Sequence, residues 1–194
     1  MTNLNIKASE RLLHKVAIVL LLLILLITSI ITSSAYAFGP YHLANKGASY
    51  QWGSNLQIPG STMRTVWETA ISDWANTAST NYYYLPNSVN EFDTYSEADT
   101  SYFGKTFYLE HDGKILKSFS ANLNMLNTTI TTNTTVARST ANHEIGHTLG
   151  IDHVTSGTAI MNTSRDRTQI YIPRYDDKLG VQALYDAVLS SEEG

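Results

Sequence analysis

Apolar side chains recur every three to four residues in some stretches of this chain and every second residue in others, and the switches between the two periods outline its elements. Met63, Val66, Trp67, Ala70, Ile71 and Trp74 step by three and four. That predicts a helix capped by Ser61 or Thr62, just after the Pro59-Gly60 turn, and running to about Ala78. Both tryptophans sit on its apolar stripe, which places them in the core. Ahead of it, Ser49 to Ser54 reads as a first strand. After it, Tyr82 to Leu85 is rich in strand formers and stops at Pro86. The polar stretch from Asn87 to Thr100 reads as a loop. Tyr102 to Leu109 reads as a strand that ends in a turn at His111-Asp112-Gly113. Phe119, Ala121, Leu123 and Met125 alternate with polar neighbours, so Ser118 to Leu126 predicts a half-buried strand.

A second helix is expected from about Val136, with Thr134 or Thr135 as its cap. On a helical wheel Ala137, Ala141, Ile145 and Leu149 drift along one side, while His143 and His147 lie roughly opposite. Beyond Gly150 no period is visible until Asp176-Asp177, which can cap a last helix with Val181, Leu184, Tyr185 and Val188 on its buried stripe. Helices that separate strands point to an α+β fold, in a three-layer α/β/α-like arrangement around a twisted, mostly parallel sheet. Residues 38–194 show no repeat and no break, and so predict one domain.

The first 37 residues follow a different rule. Lys7, Arg11 and Lys15 precede an unbroken apolar run from Val16 to Ile27, and Ala35-Tyr36-Ala37 supplies a small-residue cleavage pattern. The run is short for a membrane span, which needs about 18 apolar residues or more. A signal peptide cleaved before Phe38 is therefore expected, and with it a secreted, extracellular protein. An uncleaved anchor through residues 16–31 is the alternative, and the only route by which membrane becomes a partner. The chain of 194 residues has no cysteine, so stability must come from the core and from bound metal rather than disulfides. That suits a bacterial extracellular setting. The net charge of −4 falls by two further units once three basic residues and Glu10 are removed with the leader, which argues against nucleic acid as a partner. Calcium is compatible with this acidity, but no motif for it is present. His111 and Asp112 suit a solvated turn better than a second metal site.

Residues His143 to His153 read H-E-I-G-H-T-L-G-I-D-H and hold three of the six histidines. Positions four apart share a helical face, so His143 and His147 can offer two imidazole nitrogens to one ion. Glu144 lies far enough round the helix to reach a water on that ion rather than the ion itself. On a continuous helix His153 would lie roughly 15 Å further along the axis than His143. Gly150 accepts the left-handed backbone that stops a helix, which lets the chain turn back and bring His153 to the same point. Three protein ligands leave a fourth position for water, as catalytic zinc sites require.

This segment resembles the metzincin zinc signature, and Ser156-Gly157-Thr158-Ala159-Ile160-Met161 resembles the turn that follows it in that family, where a methionine forms an apolar floor under the metal. Asp176 to Tyr185 resembles the start of the last helix of matrixin-type catalytic domains. The resemblance implies a small zinc endopeptidase acting on proteins or peptides, a monomer, with Zn2+ held by His143, His147 and His153 and Glu144 as general base. It places Met161 beneath the ion and an extended substrate along an edge strand, for which Ser118 to Leu126 is the candidate. Gln169 to Tyr175, including Pro173 and Tyr175, is the candidate pocket wall. Asp176 or Asp177 is the candidate partner for an ammonium freed at Phe38. Thr163 stands where astacin-type members carry a tyrosine, and no cysteine is available for a cysteine-based latency switch. The other reading is a secreted zinc-containing binding or adhesion module without useful catalysis. The intact Glu144 counts against it, because holding a metal does not need that carboxylate.

Overall fold

A computed structural model describes Lys15 and residues 36–192. The expected leader and anchor lie almost wholly outside the described residues. Among the described residues no helix is long and apolar enough to cross a membrane. From Tyr36 onward the elements are β1 (Ala37–Phe38), β2 (His42–Leu43), β3 (Ser49–Trp52), α1 (Thr62–Ala78), β4 (Tyr83–Tyr84), β5 (Glu91–Tyr95), β6 (Gly104–Asp112), β7 (Ile115–Asn124), α2 (Thr128–Thr132), α3 (Thr134–Thr148), β8 (Ile151–Asp152) and α4 (Tyr175–Glu192).

The fold is α+β with a mostly parallel sheet. β7 pairs in parallel with β5 and with β2, β5 pairs with β3, and β3 pairs with β4; the antiparallel partner in this sheet is β6, which takes the other edge of β7. Among the described residues the outermost strand on that side is therefore β6. Ser118 to Leu126, expected at the edge, lies inside the sheet instead. Strand order depends on pairings far apart in sequence, so alternation alone could not reveal it. Burial follows the same logic. Asn122 and Asn124 alternate with apolar neighbours yet are themselves 5% and 0% exposed. Asn124 is tolerated there because its amide donates to the carbonyls of Glu97 and Tyr102 and its oxygen accepts from the backbone of Glu97 and Leu126.

The expected loop from Asn87 to Thr100 contains β5, a central strand. Phe92 is fully buried and its ring lies 4.8 Å from that of Trp67. The polar residues that disguise the strand have non-local partners: the Asp93 carboxylate accepts from Asn55, and its carbonyl accepts from the Trp67 indole at 3.1 Å.

α1 follows its predicted span and buries Met63, Val66, Trp67, Ala70 and Trp74. It packs across α3, where the Trp74 indole donates to the carbonyl of Asn142 at 2.9 Å. α3 starts at Thr134 rather than Val136, because the Asn133 side chain, not a threonine, accepts from the backbone of Thr135 and Val136. Its apolar stripe of Ala137, Ala141, Ile145 and Leu149 is fully buried, and Ser139, Thr140, Asn142, His143 and Glu144 are buried as well. The helix that carries the histidines is thus central to the fold.

Replacing Trp74 by Ala removes a fully buried indole and one hydrogen bond to α3. Unfolding in urea should show a loss of about 3–5 kcal/mol. A loss below about 1 kcal/mol would contradict this packing.

Candidate metal centre

α3 presents His143 and His147 one turn apart, as their spacing dictates. The helix then ends: the Gly150 amide bonds back to the carbonyl of His147 at 3.1 Å, and Gly150 adopts φ +88°, a conformation that L side chains rarely accept. From there β8 pairs with β1 (Phe38 with Ile151, Ala37 with Asp152), and the Gly39 amide donates to the Gly150 carbonyl at 2.9 Å. This short ladder delivers His153 to the two helical histidines.

The three rings converge. His143 Nε2 lies 3.0 Å and His147 Nε2 lies 3.2 Å from His153 Nε2. Nitrogens bound tetrahedrally to one zinc at its usual bond length lie about 3.3 Å apart, so the donor set fits that ion. The fit extends to tautomers. His143 Nδ1 lies 3.0 Å from the Ile160 carbonyl, which can accept only if that nitrogen carries the proton, leaving Nε2 with a free lone pair. Burial also keeps the helical imidazoles neutral, as metal ligands must be. The His143 pKa is pushed well below its usual value by desolvation and then by His147; that of His147 is lowered to about 4 by desolvation and by His153. Among the described residues this is the one group of three or more potential ligands close enough to share an ion. His111 is exposed and stacks on Tyr41 with ring centroids 4.0 Å apart.

Beneath the site lies Met161, 2% exposed. The Val154 amide donates to its carbonyl and the Thr163 amide to that of Val154, closing the loop between them. A side chain at Gly146 would collide with the Met161 sulfur, so the helix approaches its floor only because that position is glycine. Asp177 in the first turn of α4 fixes the floor from the other side: its carboxylate accepts from the amides of Ile160 at 2.7 Å and Met161 at 3.3 Å, and from that of Arg174 at 2.7 Å. Asp177 thus serves the methionine turn, with Phe38 held in β1 by its pairing to Ile151. Pro173 is buried, Tyr175 is 70% exposed, and neither lines the cleft over the histidines, correcting the expected pocket wall.

That cleft, of about 410 Å³, is bounded by β6 on one side and by Thr163, Arg165 and Arg167 on the other. Glu144 lies in it at 4% exposure, and its Oε2 accepts from the Thr106 hydroxyl of β6 at 2.8 Å. Burial raises its pKa to about 7, against the opposing pull of Thr106 and of the two arginines. Thr106, Arg165 and Arg167 carried no sequence signal. Arg165 looked like a loop residue, yet it is buried behind His143 and donates to Ser139 Oγ and to the carbonyls of Ser139 and Asn162. Its Nη1 lies 3.2 Å from His143 Nδ1, so a cation backs the first ligand.

A three-histidine centre with an adjoining buried carboxylate, under an edge strand and above a methionine, defines a metal-dependent hydrolase of the peptidase kind. The sequence matches the matrixin peptidase family over residues 49–186, and the chain belongs to that family, whose members depend on zinc. No curated protein matches the chain. Among solved structures, a chain described as "GM1 bound form of the ECX AB5 holotoxin" is similar in fold, with a TM-score of 0.55 at 15% identity over 78% of this chain and 88% of that one.

The raised pKa of Glu144 makes metal-free stability depend on pH with a definite sign. Between its ordinary value of 4.5 and about 7 the folded protein holds a proton that the unfolded chain has lost, so stability falls as pH rises through this window. Glu144→Gln lacks that loss. In chelator-treated protein the variant should gain on the native sequence by up to about 3 kcal/mol between pH 5 and pH 8.5 in urea unfolding. Parallel curves for the two proteins would show that the carboxyl is not held neutral.

Proposed function

We propose that this protein is a secreted zinc endopeptidase in which His143, His147 and His153 hold the ion and Glu144 is the general acid–base. The observation that carries the reading is the position of Glu144, buried beside the converging nitrogens and held by Thr106. Zinc at this point supplies Lewis acidity, which makes water a nucleophile near neutral pH and stabilises charge on a carbonyl oxygen. Glu144 takes the proton from the attacking water and returns it to the departing amine. Its burial raises its basicity toward that of the proton it must take, and Thr106 fixes which oxygen is free to act. His143 keeps its Nδ1 proton on the Ile160 carbonyl and so cannot rotate its donor atom away.

β6 supports substrate binding on the cleft side. It pairs on one edge with β7, and its other edge borders the cleft above Glu144. A peptide in extended form can add to that edge by main-chain hydrogen bonds, leaving selectivity to the side chains on the facing wall. Export rests on the leader pattern of residues 1–37, with cleavage before Phe38.

Glu144→Ala should abolish hydrolysis of an unfolded protein such as casein, a fall of at least a thousandfold, while zinc remains at one ion per chain by atomic absorption. Persistent zinc-dependent proteolysis in that variant would remove the carboxylate from the mechanism. N-terminal sequencing of protein recovered from the medium should read Phe38 first; a product that stays with the membrane and begins upstream would instead indicate the anchored form.

A further inference from the structure

Arg167 stands apart from the other charged groups of the cleft. It is half-buried, its guanidinium carbon lies 4.1 Å from the centroid of the Phe103 ring, and its Nε is shielded from water with no hydrogen-bond partner among the described residues. Among the described residues no carboxylate lies within ion-pair reach of it. Arg165, its neighbour in the wall, spends its donors on Ser139 and Asn162 and repels it. Burial works against the charge of Arg167, and Glu144 relieves that only from a distance. A guanidinium nitrogen shut from water without a hydrogen-bond partner is costly, and an anion that reaches the half-buried group recovers part of that cost. The ring beneath it fixes its plane and leaves the fork free for two-point contact with a carboxylate. Lys105 on the opposite rim, 5.2 Å from the centroid of the Phe107 ring and 5.6 Å from that of Tyr102, gives the mouth a second cation on a chain whose net charge is −4.

We propose that Arg167 is a specificity-determining residue that binds a substrate carboxylate beside the scissile bond, so that the enzyme selects acidic peptides. This rests on the peptidase reading for its consequence, although the binding step does not require turnover. The carboxylate can come from an Asp or Glu side chain or from the free C-terminus of a short peptide; the cleft recognises the chemistry they share.

The test uses the full zinc-loaded chain and matched peptides carrying Glu, Gln or Lys at each position in turn, with free or amidated C-termini. Glu over Gln at one position should raise kcat/KM roughly tenfold, the scale of a charge-assisted contact in a half-open site, and added salt should shrink the ratio. The ratio should fall to about one in Arg167→Gln and be partly kept in Arg167→Lys. On a Glu144→Gln background, peptide binding measured by fluorescence anisotropy should show the same preference without cleavage. A preference for the free over the amidated terminus, lost with Arg167, assigns the terminal source and supports the site. Equal binding and cleavage of Glu and Gln peptides of both terminal kinds overturns the proposal and leaves the peptidase intact. Selective binding with no hydrolysis of any peptide retains Arg167 as a carboxylate site and sinks the peptidase. The Glu-to-Gln comparison on the native chain decides the matter even if the Arg167 variants do not fold.

Discussion

Three imidazoles can meet at one point only because the helix that carries two of them stops at Leu149. Gly150 makes the stop with a left-handed backbone, and it is also pressed against His42 and Leu184, where any side chain would collide. Two constraints of different origin, conformational and steric, therefore fall on one residue. The remaining structure around the ion follows from the reversal that Gly150 permits. β8 runs back along β1, His153 arrives from the far side, and Val154 bonds across to Met161 to form the floor. Without the reversal the helical pair would be two ligands with no third.

The same region shows how polar groups are kept inside a fold that has no disulfide. Trp74 bonds the Asn142 carbonyl, the Asn142 amide reaches Asp73 and the Tyr171 carbonyl, and Asp73 holds Arg138 by two contacts of 2.6 and 2.8 Å. These links join α1, α3 and the segment before α4. A network of this kind favours one arrangement of packed helices, where an apolar contact of equal area would allow sliding, even though the buried Asn142 Oδ1 has no partner among the described residues. A helix that presents two metal-binding histidines would benefit, since ligand nitrogens tolerate displacements of only a few tenths of an ångström.

What could be read from the sequence was what depends on near neighbours. The stripe of α1, the ligand spacing and Gly150 are local signals, and the structure places them as their periods require. The mostly parallel sheet followed from helices alternating with strands. β5 was hidden because Asp93 and Thr94 look like loop residues; their burial depends on Asn55 and Trp67, which no window around Phe92 contains. The edge assignment failed for a related reason, since β7 shows alternation whether it lies inside or outside. Arg165 and Arg167 were invisible because an arginine in a polar stretch is ordinarily solvated, and only the folded wall shows one buried behind His143 and the other facing the cleft.

Asp177 lies in the last helix, yet its carboxylate holds the backbone of Ile160 and Met161, and Ile160 in turn holds the first ligand. An ion held by His143 would therefore also firm up the turn to which the last helix is moored. Such coupling is reciprocal: whatever free energy the ordered turn adds to ion binding, a bound ion would add to the ordering of the turn. The first turn of the last helix, distant in sequence from all three imidazoles, would thus act as a thermodynamic partner of a bound cation rather than as an outer layer of the fold.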